Sequence, residues 1–287
     1  MLAAFAGSAQ ELEPRRYVNL PIGQNFVALA YSYSTGDVNF SPSVPIDDAD
    51  LVIDGPALAY IRTFELAGNS ASVDFLLPYV CVDGSALSDG ERITRQTCGL
   101  ADFNARISYN FFGAPATLLS EFGKRPRQMV AGVSLKINAP TGAYDPDKLV
   151  NIGANRWDIK PEIGITIPWQ KWSVEFAAAV HIFSNNKEFL ETEVLEQDPL
   201  YNLQAHLHYD FSRRQSLSIS SNYFFGGETL RDGQPAAIRQ ENSRLGVSWS
   251  YALNAHHRIK LVAHAGVVTR VGNDSNAYTA AWSYRWD

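Results

Sequence analysis

The sequence predicts an all-β fold: a closed antiparallel transmembrane β-barrel of about 12 strands, with long extracellular loops and short periplasmic turns. Three observations lead there. Apolar and polar residues alternate with period two along segments of about eleven residues, aromatic residues gather toward segment ends, and the connections alternate between long and short. The stretch "WDIKPEIGITIPW" sets Trp157, Ile159, Pro161, Ile163, Ile165, Ile167 and Trp169 against Asp158, Lys160, Glu162, Gly164, Thr166 and Pro168. Its two tryptophans lie about 40 Å apart along a strand at roughly 3.3 Å per residue. A tilt near 45° projects that to about 28 Å, close to the roughly 25 Å apolar band between aromatic girdles. Strands of a soluble sandwich are usually only about 5 to 6 residues long.

Taken in order, the strand candidates fall at 24–35, 56–66, 72–82, 100–112, 127–139, 157–169, 172–184, 200–211, 215–226, 243–254, 258–271 and 277–286. The segment 172–184 offers Trp172, Val174, Phe176 and Ile182 to lipid against Ser173, Glu175 and His181. The segment 200–211 offers Tyr201, Leu203, Leu207 and Tyr209 against Asn202, Gln204, His206, His208 and Asp210. The last strand offers Tyr278, Trp282, Tyr284 and Trp286 against Thr279, Ser283 and Arg285. Pro161 lies on the lipid face, where it costs a ladder hydrogen bond unless a bulge absorbs it. The helix-compatible piece 117–124 lies in a connection. Residues 1–9 read as the remnant of a secretory signal peptide, 10–23 as a periplasmic N-terminal segment, and 24–287 as a single outer-membrane barrel domain.

Composition limits the function. A formal net charge of -6 over 287 residues offers no basic footprint for nucleic acid. No apolar run reaches the roughly 18 residues of a membrane helix, a test to which barrel strands are invisible. Acidic residues gather in the long connections (Asp37, Asp47, Asp48, Asp50, Asp54, Asp83, Asp89, Glu91, Glu188, Glu191, Glu193, Glu196, Asp198) and basic ones in the short turns (Lys171, Arg213, Arg214, Arg258). Cys81 and Cys98, the only cysteines, bracket a Gly/Ser/Asp-rich stretch. In an exported protein they are expected to pair as a disulfide pinning the second extracellular loop; in a reducing compartment they would be free thiols.

The luminal wall is expected to carry Asp102, Arg106, Lys136, Asp158, Lys160, Glu162, Glu175, His181, His206, His208, Asp210, Arg244, Lys260, His264, Arg270 and Arg285, together with Asp74 and Arg62. Such mixed charges either line a water-filled constriction or pair into a network that closes it. No catalytic residue, metal site or cofactor is expected. His206, His208 and Asp210 share a strand face, but adjacent ligands on one strand rarely converge on a single ion. A barrel phospholipase needs its serine and histidine on the lipid wall, whereas the strand histidines face inward, and no G-x-S-x-G nucleophile elbow occurs.

The stretches "ELEPRRYVNLP" (11–21), "NIGANRWDIKPEIG" (151–164), "EQDPLYNLQAHL" (196–207), "RQENSRLGVSWS" (239–250) and "GVVTRVGND" (266–274) resemble the transporter-like outer-membrane proteins grouped as the meta-pathway phenol-degradation family. The resemblance spans nearly the whole chain. It implies a barrel that passes small molecules, including aromatic or hydrophobic compounds. The expected function is therefore passive passage across a bacterial outer membrane, with selectivity set by luminal charge. The alternative is a closed structural or surface-interaction barrel acting through its acidic loops. The expected partners are the lipid bilayer and lipopolysaccharide, small-molecule solutes, and the barrel-assembly machinery during insertion.

Overall fold

The structure, a computed structural model, describes residues 12, 14–37, 47–88, 91–237, 239–268 and 274–287. In chain order the elements are β1 (Asn25–Asp37), β2 (Asp47–Leu66), β3 (Asn69–Ser88), β4 (Glu91–Leu100), β5 (Phe103–Phe112), α1 (Leu119–Phe122), β6 (Val130–Ala139), β7 (Asp158–Trp169), β8 (Trp172–Phe183), β9 (Asn186–Phe189), β10 (Glu193–Gln197), β11 (Leu200–Asp210), β12 (Gln215–Gly226), β13 (Thr229–Arg231), β14 (Gln234–Ala237), β15 (Gln240–Ala252), β16 (His257–Val268) and β17 (Asp274–Trp286). Among the described residues no helix is long and apolar enough to cross a membrane.

Twelve antiparallel staves close on themselves. β4 and β5 form one stave in two halves: β3 pairs with β4 through Tyr79–Ser88 and with β5 through Ala71–Leu76, and the chain bends at Ala101 and Asp102 between them. Closure comes from β1, which pairs with β2 on one side and β17 on the other, so that Leu29 lies opposite both Leu58 and Trp282. The remaining sheet has four short strands in the order β14-β13-β10-β9 and stands over the long-loop end. On the opposite end the connections are tight, apart from 113–129, which carries α1. Ala67 and Gly68, with φ of 49° and 80°, turn β2 into β3, the mirror-image geometry that matches strand twist.

Period-two alternation sets the faces. On β7, Asp158, Lys160, Glu162 and Thr166 are buried, while Ile163 is 54% exposed and Trp169 68%. Leu58, Ile107, Phe176, Leu203, Ile219 and Leu245 continue the exposed apolar belt on other strands. An apolar exterior around a polar interior reverses a soluble protein, and it is the pattern lipid requires. Pro161 is accommodated without a bulge. The β7–β8 ladder skips Lys160 and Pro161 and resumes at Ile159–Ile182 in unchanged register, so the missing donor opens a local gap.

Two strands overshoot the bilayer. β2 and β3 have 20 residues each, about 66 Å at roughly 3.3 Å per residue, more than a tilted crossing needs. Their outer halves, with β4, make a wall on which Leu51, Ile53 and Val82 pack against Val150 of the 140–156 connection, supported by Ile93 and Ile152. Cys81 and Cys98 lie directly opposite on β3 and β4 and are joined as a disulfide, placing it in this wall. Phe189 and Leu195 form a second small core in the upper sheet, whose Arg231 grips Glu193 through two hydrogen bonds of 2.6 and 2.7 Å.

Two outcomes test this architecture. Ile163→Arg is expected to lower folding yield into lipid vesicles, since a charge on the lipid face near the midplane costs about 2 to 4 kcal/mol; normal insertion would mean that the faces are inverted. Thiol titration of unreduced, unfolded protein is expected to find no reactive cysteine, and reduction to lower stability by about 3 kcal/mol for a loop of this length.

Candidate functional site: the lumen and the segment inside it

Glycines on the inner face open the site. Gly132 of β6 and Gly164 of β7 lie directly opposite each other and both point inward. A pair of glycines gives up cross-strand packing and leaves a slot in the wall. The ring of Tyr17, wholly buried, fills it: a Cβ built on Gly164 would stand 2.1 Å from the ring, and one on Gly132 2.8 Å. The Tyr17 hydroxyl donates to Glu162 Oε1 at 2.9 Å and lies 3.3 Å from Ser134 Oγ. Glu162 is itself held, its Oε2 taking Lys160 Nζ at 3.1 Å and Gln204 Nε2 at 3.0 Å.

The neighbours of Tyr17 extend this attachment across the lumen. The backbone N–H groups of Arg16 and Tyr17 donate to the two oxygens of Glu175 at 3.1 and 3.4 Å, and Thr166 donates to the same carboxylate at 2.8 Å. Arg16 pairs with Asp74 of β3 at 3.1 Å. Arg15 pairs with Asp210 of β11, which also takes Arg127 at 3.0 Å. The Val18 carbonyl accepts from Asn110 of β5 at 3.3 Å. Leu12 is buried against the bare backbone of Gly246 on β15, where a Cβ would meet its Cδ1 at 2.3 Å. Only at Ile22, bridged to Leu118, does the segment reach the short-turn connection before β1 begins. Leu12 and residues 14–20, part of the stretch expected as a periplasmic segment, therefore lie inside the barrel, because buried luminal carboxylates and glycine notches supply partners that water beneath the barrel would not.

The wall carries most of the expected residues on its inner face. Across three strands Arg106, Lys136 and Lys160 stand side by side in one register row, beginning beside Asp74. One step along, Asp158 accepts from Asn138 at 2.6 Å and meets His181 Nδ1 at 3.1 Å. Arg244, fully buried, lies 3.2 Å from His264 Nδ1 and donates to Ser275 at 3.2 Å. His206 and His208 stack with centroids 6.1 Å apart, and His208 Nδ1 bonds Ser218 at 2.7 Å. Lys260 and Arg285 face inward but are only partly buried.

Two expectations change. Asp102 sits in the bend between β4 and β5, not on a strand wall; its carboxylate accepts the N–H groups of Gly142 at 2.8 Å and Ala154 at 2.9 Å, so it pins the 140–156 connection. Arg62 is exposed on the outer face, beside Asn25, with Ile61 and Thr63 turned inward. Arg270 lies outside the described residues, as does the signal-like stretch 1–9. Sequence reasoning missed Arg15, Arg16 and Tyr17. The signal available was the coincidence of "RRY" with inward-facing glycines on two adjacent strands. Gly164 also borders an apolar hollow of about 600 Å³ on the lipid side, edged by Ile163, Phe176, Leu203 and Tyr223.

A closed, lipid-facing barrel of twelve staves with a polar interior defines an outer-membrane β-barrel protein. Residues 32–286 match the family described as "Putative MetA-pathway of phenol degradation", and the chain belongs to that family. Comparison with curated proteins returns no match. Among solved structures the chain is similar to an outer membrane channel from Pseudomonas putida F1, with a TM-score of 0.79 and 20% identity over 96% of this chain and 100% of that one. It is also similar to the transport unit of the Escherichia coli autotransporter AIDA-I (TM-score 0.54, 8% identity, 92% and 90% coverage) and the β-domain of the Bordetella autotransporter BrkA (TM-score 0.52, 11% identity, 92% and 99% coverage). At these identities the likeness concerns the fold.

Gly164→Val places a side chain where the Tyr17 ring lies and is expected to drive the segment from its slot. Trypsin, which cuts after Arg15 and Arg16, should then cleave the folded variant while sparing the parent; equal resistance in both would mean that the ring does not hold the segment.

Proposed function

We propose that this protein is a passive outer-membrane channel for small molecules, closed at rest by its N-terminal segment, with selectivity set by luminal charge. The observation that carries the reading is how the segment is held. Between Leu12 and Leu20 it touches the wall through side chains and carboxylate-capped N–H groups, with no strand pairing to the barrel among the described residues, so it can leave without breaking a ladder.

Small solutes, including aromatic or hydrophobic compounds, are the cargo to which the family description points. The row Arg106, Lys136 and Lys160 favours anionic or electron-rich solutes at the constriction, since fixed charge in a narrow low-dielectric pore weights the permeating sign. The bilayer surrounds the barrel. Lipopolysaccharide at the acidic outer loops and the assembly machinery during insertion are its further proposed partners.

Planar-bilayer recordings test the reading. Replacing Arg15, Arg16 and Tyr17 together by Ala is expected to raise conductance several-fold over the parent, and Lys136→Glu in that background to move the reversal potential in a salt gradient toward cations. A variant that inserts normally but never conducts would leave a closed surface-interaction barrel as the better account.

A further inference from the structure

The contacts of Tyr17 describe a receptor for its own side chain. A phenol ring lies in a slot floored by two glycines, and its hydroxyl donates to a carboxylate oxygen that has been oriented in advance: Glu162 is buried, and its other oxygen is held by Lys160 and Gln204. When the segment leaves, Glu162 Oε1 loses its donor and Ser134 Oγ a neighbour, while Gly132 and Gly164 lose the ring that covers them. The replacement that restores all of this is a small neutral aromatic molecule with one hydroxyl. A carboxylated ring meets Glu162 with like charge. An aromatic hydrocarbon fills the slot but leaves a buried carboxylate oxygen without a donor, and a buried group designed to hydrogen-bond rejects the analogue that lacks the bond.

We propose that the Tyr17 slot is a binding site for monohydroxylated aromatic solutes, which compete with Tyr17 and so open the channel to the compounds it passes. The proposal rests on the reading of the segment as a displaceable plug. It makes the resting closure an autoinhibitory mimic of cargo: a tethered phenol, set against a free one, yields only when solute accumulates. It also gives a reason for Gly164, where a Cβ would meet only the ring, at 2.1 Å; at Gly132 a Cβ would meet the ring at 2.8 Å and also Asn110 Oδ1 and the Tyr109 carbonyl.

The probe is 4-methylphenol, the tyrosine side chain cut at Cβ, with toluene as the matched compound lacking the hydroxyl. In the full-length parent, 4-methylphenol is expected to speed tryptic cleavage after Arg15 and Arg16 and to raise the open fraction in planar bilayers, with toluene at equal aqueous concentration doing neither. Equilibrium binding to detergent-solubilised Tyr17→Ala should be tighter than to the parent, because the competitor is gone, and about tenfold or more tighter for 4-methylphenol than for toluene. Adding Gly164→Val to that variant should abolish the binding. Binding to Tyr17→Ala no better than to the parent, or equal action of toluene, would overturn the proposal. If Tyr17→Ala conducts without binding 4-methylphenol, the slot fails and the channel reading survives. If it binds 4-methylphenol but never conducts, the site stands and the channel reading falls.

Discussion

In hydrocarbon a backbone N–H or C=O has no water to turn to, so every one must be paired within the protein. For this chain the requirement is met where β1 joins β17 along the full length of both strands, converting an open sheet into a barrel without edges. The rest follows from that closure. With lipid outside, period-two alternation leaves the interior as the one place for charge, and the interior is narrow enough that carboxylates, guanidinium groups and imidazoles must find each other. The wall tolerates exceptions only where something compensates. Pro161 breaks two pairings with β8, yet Leu135 still pairs with it on the other side and the register is kept.

The glycine pair is the second constraint, and it acts through the N-terminal segment. Glycine in a strand sacrifices packing, and two facing each other double the loss. Tyr17 fills the slot and anchors its hydroxyl on Glu162, and the flanking arginines reach Asp74 and Asp210, which without them would be luminal acids near no plug cation. Glu175 shows how closely wall and segment are matched: its carboxylate faces two backbone donors of the segment and one hydroxyl of the wall. A segment of extended chain brings unpaired N–H groups into the lumen, and a buried carboxylate is a strong acceptor for them.

The staves were legible because lipid imposes a pattern that no loop mimics: all twelve sequence segments fall on barrel strands, and on β7 every charged residue points inward and every isoleucine outward. Arg62 was not legible, because "ALAYIRTF" carries apolar residues on both faces and its charge could be placed on either; the structure turns Ala57, Ala59 and Ile61 inward. Asp102 follows the strand pattern of β5 in sequence yet sits just before it, in a bend whose purpose depends on residues 40 and 52 positions away. β4 and the upper sheet carry only scattered apolar residues, such as Ile93, Phe189 and Leu195, in short strands, so periodicity had little to register. The N-terminal segment was the hardest of all. Its partners lie on β3, β5, β6, β7, β8, β11 and β15, and contacts gathered from so many strands leave no period in the chain.

On the proposed reading, what separates such a segment from a thirteenth strand is reversibility. A ladder is cooperative, and removing one stave would expose two edges to lipid. Side-chain contacts inside a polar lumen carry no such penalty, and buried ion pairs gain little net stability because desolvation offsets attraction. Arg15 with Asp210 and Arg16 with Asp74 therefore specify where the segment lies more than they hold it there. On the proposed reading, departure also changes the electrostatics: two cations leave, and Asp74 on β3, Glu175 on β8 and Asp210 on β11 lose partners on either side of the row Arg106, Lys136 and Lys160. Acids and bases then alternate along one arc of the wall, from β3 through β5, β6 and β7 to β8 and β11, and ion pairs within that arc can take up part of the charge that the segment leaves behind.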